Sequence, residues 1–380
     1  MLDGRRKSMQ PMAERLGVDH QRLQQFITTS PWDVVPVRKA LVRLAIGVIE
    51  PQAWVVDDTG QAKEGTASAC VARQYSGTMG KIGNCQVAVS VHAVTDKASA
   101  PLDWRLFLPL SWDDEAAGSP EAAVAVRARR DACKIPAGEH HRPKWQMAIE
   151  MLDELAEWGY RPPVVAADAG YGDTTAFRLA LESRNIGYVV AVKGSTSAYT
   201  AETVPVAAPP TGRRGRPRSP GYPDAPSSCK DIILAAGRAA RKELTWRKGS
   251  KSSPGNKSAA MRSHFVALRI RPANRDIPRA DDGSLPLQWL LAEWPAGRTE
   301  PTDYWISNLP ADTQIPTMVR LAKIRWRIEH DYRELKTGVG LDQFEGRSWT
   351  GWHHHATLAT AAHVFLTWIR LTNPKADGQP

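Results

Sequence analysis

The sequence predicts a mixed α/β protein: strands and helices packed in layers, a small helical region ahead of them, and a β-rich segment interrupting them. Three observations predict this. A valine-rich alternation sets in after residue 52, strand-like and helix-like periods then take turns between residues 144 and 192, and a proline- and arginine-rich stretch at 201–231 precedes four more short strand-like segments. The 380 residues allow two or three domains, and 42% hydrophobic with 24% charged residues is the balance of a folded globular chain, which excludes wholesale disorder. Lys+Arg 50 against Asp+Glu 40 leaves a net charge of +10, a surplus that favours a polyanionic partner, nucleic acid or an anionic membrane surface. No apolar run approaches the ~20 residues of a membrane helix, and the opening stretch lacks the apolar core of a signal peptide. Cys70, Cys85, Cys133 and Cys229 form no CxxC pair, so reduced thiols and a cytoplasmic setting are expected rather than a zinc knuckle or a disulfide framework.

Residues 8–28 read as two short helices around Gly17. This is either a helix-turn-helix, whose second helix would present Arg22, Gln24 and Gln25, or a plain helical hairpin. A helix over about Val35–Val48 follows. Ala53–Val56 is a short strand ending in Asp57-Asp58-Thr59-Gly60, and Val87–Val94 and Trp104–Leu108 are two more, antiparallel because no crossover helix separates them. Next come a helix (Lys144–Trp158), a strand (Pro163–Ala167) ending at Asp168, a helix (Thr174–Ser183) and a strand (Gly187–Val192). The order β-β-β-α-β-α-β is that of an RNase H-like fold. Residues 201–231, with Arg213, Arg214, Arg216 and Arg218 around Gly215 and Pro217, break the pattern; they are a solvated loop or a hook for the minor groove of DNA. Strand-like segments at Leu244–Trp246, His264–Ile270, Leu287–Glu293 and Tyr304–Ser307 lead to one long helix over Ile315–Lys336 and a last helix over His353–Leu371.

Three acids stand out by position: Asp57 or Asp58 at a strand end, Asp168 at a strand–glycine turn, and Glu329 in the long helix. A carboxylate ending an apolar strand is costly to bury without a neutraliser. Converging carboxylates are neutralised by Mg²⁺ or Mn²⁺, which prefer hard oxygen ligands; two such ions suit in-line phosphoryl displacement. In a continuous helix Arg325, Glu329, Arg333 and Lys336 fall at i, i+4, i+8 and i+11 on one face. They are either surface ion pairs worth ~0.3–0.5 kcal/mol each or a metal ligand flanked by cations that grip phosphates. His353-His354-His355 cannot converge on one ion, because successive helical residues point about 100° apart.

Arg325, Glu329 and Lys336 resemble the end of the Y-x2-R-x3-E-x6-K signature of DDE insertion-sequence transposases. The stretches Trp326–Lys336 with Gly340–Trp349, Val56–Gly60, Ala72–Gly77, Asn84–Val87, Asp103–Leu106, Ala167–Gly172 and Tyr304–Pro310 are similar to the branch named after insertion sequences number 4 and number 701. The resemblance covers about residues 20–370. It implies an RNase H-like catalytic core with a β-rich insertion between the second Asp and the Glu. It also implies two divalent ions (Mg²⁺ or Mn²⁺), double-stranded DNA with terminal inverted repeats, a target DNA, and a homodimer holding paired ends near the nucleoid. Asp168 takes the second-Asp role and Glu329 the Glu role. For the first acid the resemblance favours Asp58, directly before Thr59, with Asp57 the alternative; Val55 and Val56 are both apolar, so alternation leaves both open. Two departures are Ala322 where the signature has Tyr, and a start shorter than that of relatives before Arg5-Arg6-Lys7-Ser8, which suggests a shortened or misassigned beginning.

The expected organisation is a helical DNA-binding region at 1–49, the first part of the core at 50–200, the Pro/Arg-rich loop and β-rich insertion at 201–302, the second part of the core at 303–372, and a tail at 373–380. The expected activity is metal-dependent cleavage at transposon ends followed by strand transfer. The alternatives are a catalytically inactive DNA-binding relative and another RNase H-like DNA nuclease.

Overall fold

The computed structural model describes residues 9–77, 80–207, 220–247 and 260–373. The chain divides into two compact units, one made of residues 1–161 and 326–380, the other of residues 162–325.

The first unit opens with α1 (Met9–Leu16) and α2 (His20–Thr28), joined through Gly17 at φ +64°, a left-handed conformation that glycine adopts without a Cβ clash. Asp19 caps α2 by accepting the Gln21 amide, and Asp33 caps α3 (Val34–Ile49) in the same way through Val35. Four antiparallel strands follow: β1 (Ala53–Ala62), β2 (Ala72–Ser76), β3 (Lys81–Val94) and β4 (Ser99–Leu106). β3 is central, with β1 along one side and β2 then β4 on the other. β1 does not end at its acids. Each residue from Ala53 to Ala62 finds a partner on β3, so Asp57 and Asp58 sit in mid-strand. Gly60, within the strand, is a close crossing, where a Cβ would come within 2.0 Å of Ser76 Oγ. α4 (Pro120–Ala132) was not anticipated, although Ser119 as N-cap and Pro120 in the first turn are ordinary helix-start signals. α5 (Lys144–Glu157) completes this part of the chain.

The second unit is a mixed sheet with helices. β5 (Val165–Ala167) leads through α6 (Ala169–Gly172) and α7 (Thr175–Glu182) to β6 (Tyr188–Val192), which lies parallel to β5. β7 (Ser197–Thr200), β8 (Ser227–Ser228), α8 (Cys229–Ala236), β9 (Lys242–Arg247), β10 (Met261–Pro272), β11 (Gln288–Glu293) and β12 (Asp303–Ser307) follow. β6, β12, β11 and β10 pair antiparallel in that order; β10 meets β9 at its start and β7 at its end. The four strand-like segments after residue 240 therefore belong to one sheet with β6. α9 (Ile315–Lys323) closes the unit.

The chain returns to the first unit as α10 (Trp326–Arg333), a π-turn at Glu334–Gly338, and α11 (Trp349–Thr372). The single helix expected over Ile315–Lys336 is thus three pieces. The Ile324 amide bonds back to Leu321 and closes α9, and the wider π-turn interrupts the even spacing that would have put Lys336 on the face of Glu329. α11 packs on α3 and β4, where Trp104 donates its indole N–H to Thr360 at 3.0 Å. Trp104, Leu106, Trp112, Leu335, Phe344 and Trp352 share one core cluster. All four cysteines are buried free thiols. No helix among the described residues is long and apolar enough to cross a membrane.

Candidate active site

Pairing with β3 decides which way the adjacent acids of β1 point. Directly opposed residues of an antiparallel pair project to the same face, and successive residues alternate. Asp57 lies opposite Ser90 and Asp58 opposite Val89, so the two carboxylates leave opposite faces of the sheet. On the Asp58 face, Lys144 at the start of α5 brings its Nζ to 3.0 Å from Asp58 Oδ2 and lies over the Phe107 ring. Asp57 is 6% exposed, and its Oδ1 accepts the Asp58 amide at 2.8 Å.

α10 covers the Asp57 face. Tyr332 bonds Ser90 Oγ at 2.8 Å, and His92, two residues along β3 on the same side, donates from Nδ1 to Asp331 at 2.9 Å. Glu329 is an exposed residue of α10, three positions before Tyr332, and side chains three apart on a helix are neighbours. Lys336 turns inward from the π-turn: it is 9% exposed, and its Nζ donates to the Gly60 carbonyl at 2.8 Å. Burial lowers its pKa to about 8, with Asp342 opposing. Its neighbour Glu334 is shifted the other way. Burial would raise it, but His363 and Arg370 outweigh burial and hold it at about 2. Arg333 is exposed in the last turn of α10. Asp57 thus projects to the face that α10 covers, Lys336 reaches β1 at the Gly60 carbonyl, and Asp58 projects to the other face.

In the second unit, Asp168 follows β5 and caps α6, accepting the Gly170 amide at 2.9 Å. The glycines after it have a packing cause. A Cβ on Gly172 would stand 2.0 Å from the Ala191 carbonyl oxygen of β6, and buried Arg178 donates to the Gly172 carbonyl. Arg325 is half-buried in the turn that ends this unit. Arg213, Arg214, Arg216 and Arg218 lie outside the described residues.

The three histidines of α11 take separate backbone partners, as their spacing requires: His353 faces the Trp349 carbonyl, His354 those of Ile27 and Trp32, and His355 that of Gly340. Sequence reading missed Lys144, the Ser90–His92–Asp331 set, and one group with metal-type donors. Among the described residues, ligand atoms of Asp113, Asp114 and His140 lie within 4.8 Å of one another. That group is internally satisfied. His140 Nδ1 and the His141 amide donate to Asp113 at 3.0 and 2.8 Å, and Arg130 stands 3.2 Å from Asp114. Burial opposes ionisation of Asp113, but these donors and the Glu115 amide hold it below the usual carboxylate range.

Acids thus stand on β1 and α10 in the first unit and, separately, at the β5–α6 junction in the second. The chain belongs to the DDE superfamily endonuclease family, whose profile matches residues 1–253. Over 197 residues it is 29% identical to a protein of Microchaete diplosiphon named "Probable transposase for insertion sequence element IS701", an alignment covering 51% of this chain and 46% of that relative. The chain therefore matches about half the length of that curated relative.

Proposed function

We propose that the protein is a DNA transposase that cuts a mobile element at its terminal inverted repeats and joins the freed end to target DNA. The observation that carries the reading is the shared face of Asp57 and α10, the helix bearing Glu329. Family membership and the relative's name support the same activity. The first-acid role goes to Asp57 in this reading, because Asp58 is engaged by Lys144 on the other face. Asp168 takes the second-acid role on its motif alone, within an RNase H-like core whose insertion is residues 201–302.

Asp57, Asp168 and Glu329 would each offer hard carboxylate oxygens, the ligands that Mg²⁺ and Mn²⁺ take. Two such ions, when bound, would supply Lewis-acid activation of the attacking oxygen and neutralise charge on the leaving one. In cleavage, a water oxygen attacks phosphorus and the P–O3′ bond breaks, leaving a 5′-phosphate and a 3′-hydroxyl. In strand transfer, that hydroxyl attacks a target phosphodiester and releases the target's own 3′-hydroxyl, so the number of phosphodiester bonds is conserved. Arg333 and Arg325 grip phosphates beside the scissile bond, while Lys336 holds the π-turn to β1 at Gly60. The arginines at 213, 214, 216 and 218 track the flanking duplex. Two copies hold the paired ends, at the nucleoid in the cytoplasm.

The test is Mg²⁺-dependent nicking of a duplex carrying the element's end. Wild type nicks it at the repeat boundary, and Asp168→Asn and Glu329→Gln bind the duplex normally without cutting. Binding without cutting by wild type identifies an inactive DNA-binding relative. Cutting that ignores the repeat identifies a different RNase H-like nuclease.

A further inference from the structure

α10 is only eight residues long, bounded by a turn and a π-turn, and a helix that short does not hold itself in register. A slip of one residue would swing Glu329 by about 100° around the helix axis. Something in the first unit must therefore fix the rotation of α10 on the sheet, and a buried set of polar side chains is placed to do so. Asp331, His92 and Ser90 are 1%, 0% and 0% exposed. Asp331 Oδ2 accepts from His92 Nδ1 at 2.9 Å, and His92 Nε2 lies 3.0 Å from Ser90 Oγ. Ser90 Oγ lies 2.8 Å from the Tyr332 hydroxyl, and Asp331 Oδ1 accepts from Ser99 Oγ at 2.6 Å.

The ionised carboxylate can only accept, so His92 carries a proton on Nδ1; burial disfavours a second proton on this imidazole, so its Nε2 accepts. Ser90 must then donate to His92, and Tyr332 must donate to Ser90. Each proton in the chain has one place to be, and every bond runs from Tyr332 towards Asp331. A serine, histidine and aspartate in this order have the spacing of a hydrolase triad, but no substrate can reach a serine with no exposed surface. The set acts on the protein itself. Its far end is next to the chemistry, because Ser90 is the cross-strand partner of Asp57 and Tyr332 is three residues from Glu329.

We propose that Ser90, His92, Asp331 and Tyr332 are positioning residues for the candidate acids: a directed chain of hydrogen bonds that sets the rotation of α10, and so the approach of Glu329 to the strand bearing Asp57. The inference rests on the proposed roles of Asp57 and Glu329 as cation ligands. Residues that orient metal ligands without touching the metal are worth about 10–100-fold in affinity or activity, and that sets the size of the expected effect.

The mildest cut is Tyr332→Phe, which removes one hydroxyl and leaves the ring against His92 and Trp104. Two measurements on the full chain test it: Mn²⁺ binding followed by electron paramagnetic resonance, and the Mg²⁺ concentration giving half-maximal end cleavage. Both should weaken about tenfold in Tyr332→Phe, with DNA affinity unchanged and melting within a few degrees of wild type. Ser90→Ala, which breaks this link and the one to His92, should weaken both at least as much. The double variant should be no worse than the weaker single one, because both changes break the same link. Unchanged Mn²⁺ binding in Tyr332→Phe overturns the positioning role, whatever its melting temperature. A wild type that binds Mn²⁺ yet never cleaves sinks the transposase reading instead, and the Mn²⁺ titration still judges the chain. A wild type that binds no Mn²⁺ sinks both.

Discussion

Lys144 reaches across to Asp58, Nζ to Oδ2 at 3.0 Å, on the face of β1 that α10 does not cover. The pair gives Asp58 a structural partner, while its neighbour Asp57 projects to the face that α10 covers. Asp57→Asn should therefore lower metal-dependent end cleavage by at least about a hundredfold. Asp58→Asn should leave it within about tenfold and cost under ~1 kcal/mol, since both partners of its ion pair are partly exposed. Cleavage assays and thermal melts of the two variants check this; the reverse ranking would move the first-acid role to Asp58.

Lys336 makes stability depend on pH in the alkaline range. Its pKa is about 8 in the folded protein against an ordinary 10.5. Between those values the folded chain holds fewer protons than the unfolded one, so this residue's contribution to stability rises with pH across that window. The cost of burying the charge is fully present below pH 8 and relieved above it. Relative to Lys336→Met, wild type should gain stability from about pH 8 to 10.5 in urea titrations. Parallel profiles for the two proteins would show that the Lys336 ammonium is not penalised by burial.

The glycine four residues after Asp168 has no room for a side chain. A Cβ on Gly172 would meet a carbonyl oxygen of β6 at 2.0 Å, and backbone cannot rotate away as a side chain can. Gly172→Ala should cost about 2–3 kcal/mol, whereas Gly138→Ala, with nothing within 4 Å of its new methyl, should stay within about 0.5 kcal/mol. Equal melting temperatures would mean that β6 gives way at Ala191.

Salt should weaken DNA binding steeply, the logarithm of affinity falling with a slope of about −0.9 per phosphate neutralised. Replacing Arg213, Arg214, Arg216 and Arg218 together by Gln should flatten that slope by about 0.9 for each arginine that touches a phosphate. Fluorescence anisotropy across a salt series measures it, and an unaltered slope would remove the loop from the interface.

Much of the strand pattern was legible because β-branched runs such as Val87–Val94 declare themselves. The facing of Asp57 and Asp58 was not. Val55 and Val56 are both fully buried because both faces of β1 are covered, so hydrophobicity carries no alternation there, and only the register against β3 separates the acids. The break at Ile324–Arg325 was hidden for a related reason: Ile324 and Ile328 are both core residues at helical spacing, and the helical period reads straight through the turn. The His92–Asp331 bond joins residues 239 positions apart, beyond the reach of any local pattern. Ser119-Pro120, by contrast, is a helix-start signal legible in the sequence itself.

The first unit is built from two stretches separated by residues 162–325, and that governs when it can fold on the ribosome. Trp104, Leu106 and Trp112 share their core with Trp352, Ala356 and Ala359 of α11. The strands of β1–β4 therefore emerge long before the helix that covers them, and wait with one side open while residues 162–325 are made. A nascent chain cut short anywhere before α11 lacks part of this core. Abortive translation should yield aggregation-prone fragments rather than a smaller folded nuclease.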